Sequence, residues 1–179
     1  MTTDRFRELA QSSASHLEQI LRASKGPALE SLVGFEWRGY NTPWLTRLLG
    51  IQKFIKGFFQ EGDRVEGYNI LVQQNGLDGP WLDQPAPESP KRFGFYWVSQ
   101  VDQASRDNFY PEAILINYGA SPRNPAYGIE RLLRDYVVQL DLANPDLLLG
   151  KAYLALGALR LPSNFFVLER LRPTSWKSE

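Results

Sequence analysis

The sequence predicts a mainly β protein whose strands close into a barrel behind a helical N-terminus. Three observations carry this. From Arg64 onward, apolar and polar residues alternate with a period near two over several stretches. The pairs Asn75-Gly76 and Asp78-Gly79 are turn dipeptides between such stretches. Residues 4–24 instead carry apolar side chains at three- and four-residue spacing. The 179 residues fit one domain, divided into an N-terminal helix over 1–27, a barrel over 30–172 and a tail over 173–179.

In the first helix, Phe6, Leu9, Ala10, Leu17, Ile20 and Leu21 form the apolar stripe, and Arg7, Glu8, Gln11, Glu18 and Arg22 oppose it. Gly26-Pro27 ends it. The first strand covers 34–40, with Phe35 and Trp37 on one face and Glu36 and Arg38 on the other. Thr42-Pro43 then resembles an N-cap and first helical residue. The spacing of Trp44, Leu48, Ile51, Ile55, Phe58 and Phe59 predicts a second helix over 44–59, with Gly50 and Gly57 against it. Further strands are expected at 65–73, 93–101, 113–118, 134–142, 147–156 and 164–171. Residues 75–91, with four prolines, and 120–128, with two, are expected as loops. A serial antiparallel set of strands suits a barrel or a sandwich, and closure removes exposed edges, which favours the barrel. A cone-like curved sheet of the α+β type is the alternative.

Composition excludes several classes of function. There are no cysteines, so disulfides, thiolate metal sites and cysteine nucleophiles are absent. This agrees with a cytoplasmic location. Twenty Lys+Arg balance twenty Asp+Glu, leaving no net charge to draw nucleic acid. The first ten residues lack the order of a signal peptide, and no apolar run is long enough to span a membrane. His16 is the sole histidine and lies at the edge of the helical stripe, so no multi-histidine metal site or Ser-His-Asp triad is expected. No cofactor is expected. Arg47, Lys53 and Lys56 beside large apolar residues allow contact with a membrane surface, although packing on the barrel explains the same pattern more simply.

The segment Gly34-Phe35-Glu36-Trp37-Arg38-Gly39 resembles the glycine–tryptophan signature that opens lipocalin-like barrels, and is similar to GXWXG-type domains of unknown function. Trp37 and Gly39 fit the W-x-G half, while the leading glycine sits one residue early. The segments 146–151 and 165–170, ending Leu168-Glu169-Arg170, look like the closing hairpin of the same barrels. The resemblance implies an internal cavity for a small apolar or amphipathic molecule. It also implies that Arg170 from the last strand packs across Trp37 of the first, an architectural contact.

Candidate ligand-binding residues are Tyr68, Tyr96, Tyr118, Tyr136 and Tyr153, each inside an expected strand, where inward phenols would give apolar walls with hydroxyl handles. Arg134 and Lys151 could meet an anionic ligand, and Trp81 is expected over the barrel mouth or against the N-terminal helix. A one-residue register slip reverses every inward assignment, and each tyrosine equally suits an ordinary strand position. The expectation is a small-ligand-binding barrel. The alternative is a metal-free isomerase or lyase using a tyrosine and an Asp or Glu in the same cavity.

Overall fold

The first strand finds its partners at both ends of the chain: β1 (Phe35–Asn41) pairs antiparallel with β2 (Lys53–Glu61) on one side and with the last strand, β10 (Leu159–Pro173), on the other. The computed structural model describes residues 2–42, 51–141, 143–174 and 176. The ring continues through β9 (Asn144–Leu156), β8 (Leu133–Asp141), β7 (Ile114–Asn117), β6 (Arg92–Gln100) and β3 (Arg64–Leu71) back to β2, a closed barrel of eight antiparallel strands. Closure leaves the barrel no edge strand and rules out the open cone-like sheet.

Two faces of the wall are buried, and core composition tells them apart. One cluster draws residues from all eight strands, including Trp37, Phe54, Phe58, Val65, Tyr96, Ile114, Val137, Leu148 and Phe166. Only the interior can be shared by every strand, so this cluster fills the barrel. A second cluster joins Phe6, Leu9, Leu17 and Leu21 to strand residues of β1 and β7–β10, and lies outside the wall. A third lies outside β2 and β3, where Ile55, Phe59, Tyr68 and Ile70 pack against Trp81, Phe95, Leu171 and Trp176.

The N-terminal amphipathic stretch folds as two helices, α1 (Asp4–Ala10) and α2 (Ala14–Ala23), both before β1. The break has a local cause. Ser13 turns outward into extended backbone and its hydroxyl accepts from the His16 backbone amide at 3.3 Å, capping α2. Serines favour such caps because their side chains compete with the helical ladder.

The expected helix over 44–59 is corrected where it can be checked. Residues 53–59 belong to β2, and 43–50 lie outside the described residues. In β2, Phe54, Lys56 and Phe58 face the interior, and Ile55 and Phe59 face the third cluster. A strand buried on both faces loses its alternation and imitates a buried helix. Residues 75–91 are likewise not wholly irregular, since β4 (Pro85–Ala86) and β5 (Ser89–Pro90) form a short hairpin there.

Glycines in the Gly34–Gly39 motif have separate reasons. Gly34 has φ +83°, a left-handed conformation that enters β1. A Cβ on Gly39 would collide with the Phe54 ring, which lies across it from β2.

Candidate functional site

Four polar residues meet inside the barrel. Lys56 reaches across the interior from β2 to Asp135 of β8, with Nζ 3.0 Å from Oδ2. Nζ also donates to Asn69 Oδ1 at 3.2 Å and bonds the Tyr118 hydroxyl. Tyr118 Oη in turn donates to Asp135 Oδ2 at 3.2 Å, and Asn69 Nδ2 donates to the Gly94 carbonyl at 3.0 Å. The rings of Tyr96, Tyr118, Phe54 and Phe166 surround the ammonium at 4.8, 4.9, 5.5 and 5.5 Å. Burial pushes the Lys56 amine down from its usual range, while Asp135 pulls it back up. The Tyr118 phenol is pushed well up by burial and by the Asp135 charge. All three ammonium protons therefore have partners. The centre is closed on itself, and aromatic side chains occupy the space around it.

A recess lies on the outer wall instead. A hollow of about 390 Å³ is bounded by Arg38 of β1, Leu171 of β10, Thr2 and Arg7 at the α1 end, and the loop residues 78–81. Trp81 forms its aromatic wall. The Trp81 indole nitrogen donates to the Gly39 carbonyl at 3.2 Å, and its ring meets Phe6 of α1 edge-on at 5.9 Å. The loop is pinned by Lys53, whose Nζ donates to Asn75 Oδ1 at 2.5 Å and to the carbonyls of Gly76, Gly79 and Pro80 at 2.9, 2.7 and 3.1 Å. The same ammonium sits 3.8 Å from the Trp81 ring centre.

Arg38 is the distinctive member of this hollow. Its Nε faces Glu169 Oε2 at 2.8 Å, and its guanidinium carbon is 5.9 Å from the Trp81 ring centre. No described residue accepts a hydrogen bond from its two terminal nitrogens. Glu169 is meanwhile occupied by the Thr3 amide at 3.1 Å and the Thr3 hydroxyl at 2.5 Å. Arg7 adds a second guanidinium, hydrogen-bonded to the Thr2 hydroxyl at 3.1 Å and to Asp4 at 3.0 Å.

The sequence-selected residues fall into separate places. Tyr96 and Tyr118 face the interior. The inward assignment of the other three tyrosines is corrected. Tyr68 lies outside β3 and donates to Glu36 Oε1 at 2.8 Å, with burial pushing its phenol up to about 12. Tyr136 and Tyr153 lie outside β8 and β9, where Tyr153 meets the Tyr110 hydroxyl at 3.1 Å. Alternation explains the split among the four that lie in strands, where position along the strand decides the face; Tyr118 sits in the 3-10 turn that follows β7. Arg134 points outward too. It holds Asp107 at 3.3 Å and the carbonyls of Arg131 and Leu133 at 3.0 and 2.7 Å, so its donors tie down a loop. Lys151 pairs with Glu18 of α2 at 2.6 Å.

Trp37 and Arg170 are directly opposed across the β1–β10 ladder. The Arg170 guanidinium lies 4.9 Å from the Trp37 ring centre and 4.0 Å from that of Phe35, and pairs with Asp146 at 2.6 Å. Trp37 is fully buried, so this cation closes the barrel end beneath it. His16 is exposed on α2. Among the described residues, no group of three or more His, Cys, Asp or Glu is placed to hold a metal ion. Among them also, no helix is long and apolar enough to cross a membrane.

Sequence reasoning misses Lys56, Asp135 and Asn69 as a set, because the helical spacing over 44–59 gives Lys56 no inward face. It also misses the hollow, whose walls come from four distant segments. The readable signal was a lysine inside an otherwise apolar stretch, Phe54-Ile55-Lys56-Gly57-Phe58-Phe59. No protein-family model, no curated protein and no solved structure matches the chain.

Proposed function

We propose that the chain is a lipocalin-like binding protein for a small amphipathic molecule, and that the ligand sits in the outer hollow beside Trp81 rather than in the barrel interior. The observation that carries this reading is the hollow itself. At about 390 Å³ it falls in the size range of small-molecule sites, and it sets Trp81 and Leu171 opposite polar groups of Thr2, Arg7 and Arg38. The interior is a poorer candidate. Its rings interdigitate, and the donors of Lys56 are spent on Asp135, Asn69 and Tyr118.

The isomerase or lyase alternative would have to use that interior centre, where Tyr118 and Asp135 supply the required phenol and carboxylate. A substrate would first have to displace packed aromatic side chains, which makes binding in the outer hollow the simpler reading. Lipocalin-like membership and a cytoplasmic location belong to the same proposal. The first rests on the closed eight-stranded barrel with Trp37 and Arg170 at its end, and the second on the lack of cysteine.

Native mass spectrometry of the purified protein, before and after mild denaturation and refolding, tests the reading. A co-purified small molecule lost from Trp81→Ala at an unchanged unfolding midpoint supports it. A protein that carries nothing, and whose Trp81 fluorescence is unmoved by apolar probes, overturns it.

A further inference from the structure

From the unpartnered edge of Arg38 we infer that the ligand carries a carboxylate, and that Arg38 is the residue that selects it. This rests on the outer hollow being the ligand site. Arg38 is 14% exposed, which is low for a guanidinium. Its Nε forms an ion pair with Glu169 at 2.8 Å, and Glu169 is itself nearly buried and anchored by Thr3. This ion pair and the low exposure restrict the side chain, so it has less freedom to lose on binding. Among the described residues no acceptor meets its two terminal nitrogens, and the side chain borders the hollow. A desolvated fork with free donors matches the two oxygens of a carboxylate, which it can bind through two parallel hydrogen bonds.

The other charges around the hollow leave this edge open. Lys53 is engaged by Asn75 Oδ1 and three loop carbonyls. Asp78 and Asp4 are 88% and 101% exposed and face Arg7 at 3.6 and 3.0 Å, so solvent screens them. Glu169 is committed to Nε and Thr3. Trp81 and Leu171 then offer an apolar surface for the rest of the molecule. The ligand class is therefore a monocarboxylate with a compact apolar body, such as an aryl or medium-chain acid.

The test uses two matched pairs of probes: naphthalene-2-carboxylate and decanoate, each against its neutral carboxamide. Binding is read as the shift of the Trp81 indole N–H signal in two-dimensional NMR, assigned with Trp81→Phe. The expected result is at least tenfold tighter binding of an acid than of its amide by the native chain. Arg38→Lys keeps the charge facing Glu169 but lacks the planar fork, and should lose most of that preference while still binding the amide. The double variant Arg38→Gln/Glu169→Gln removes both charges together, so that neither is left buried alone, and should lose the preference entirely. Acid and amide binding equally in all three proteins would overturn the carboxylate inference while leaving the hollow as a ligand site. No shift of the Trp81 signal with any probe would overturn both.

Discussion

Lys56 and Asp135 meet 3.0 Å apart across the inside of a closed barrel, from strands that are not neighbours in the ring. Moving two charges out of water is costly, and their attraction repays it only when the remaining donors are satisfied. Asn69 and Tyr118 supply that satisfaction. Lys56→Met should therefore destabilise the fold by about 3–5 kcal/mol, because it strands a buried carboxylate. Lys56→Met combined with Asp135→Leu should recover much of the loss. Chemical denaturation of both single variants and the double variant checks this, and strictly additive losses would show that the two groups do not act as a pair.

Trp37 is fully buried, and Arg170 covers its ring at the barrel end. Trp37→Ala should cost on the order of 3–5 kcal/mol, the usual range for a large aromatic in a core. Arg170→Ala should cost less, roughly 1–2 kcal/mol, from two lost cation–ring contacts. An unchanged denaturation midpoint in Trp37→Ala would be incompatible with the tryptophan's position in the core.

Gly39 faces the Phe54 ring with no room for a methyl group. Gly39→Ala should destabilise by about 1–3 kcal/mol through overpacking. Combining it with Phe54→Leu should return part of that stability, since the smaller side chain vacates the position. Thermal melts of the four proteins in this cycle test the contact directly.

Burial pushes the Lys53 ammonium down to about 8, opposed by the charge of Asp78. The unfolded chain would titrate this lysine near pH ~10.4. Between those values the unfolded state binds more protons than the folded one, so the lysine makes stability rise as pH goes from 8 toward 10. Above that, Tyr68, pushed up to about 12, acts in the opposite sense, because the folded state then holds the extra proton. Guanidinium midpoints from pH 7 to 10 should climb less in Lys53→Met than in the native chain. Identical slopes would place the Lys53 titration outside this window.

The barrel was legible where strands are rich in β-branched and aromatic residues between polar ends. Strands 92–100 and 133–141 come within a residue of the spans expected from period-two patterning and β-branched or aromatic content. The N-terminal stripe was visible as well, although Ser12 and Ser13 divide it into α1 and α2. β2 was not legible. Trp81 of the loop, Trp176 of the tail and Leu171 of β10 pack against its outer face, so both faces are apolar and the period vanishes.

The sequence by itself determined the composition limits, the strands other than β2 and the β4–β5 hairpin, and the Trp37–Gly39 motif, because these depend on local pattern and residue chemistry. Only the tertiary structure decided which side of the wall each tyrosine occupies, since a shift of one residue exchanges the two faces. Tyr96 and Tyr118 went inside; Tyr68, Tyr136 and Tyr153 went out. Closure likewise brought Lys56 to Asp135. It also gathered Thr2, Arg38, Trp81 and Leu171 around one hollow. Such meetings depend on how eight strands stagger around a ring, a long-range relation that no local pattern records.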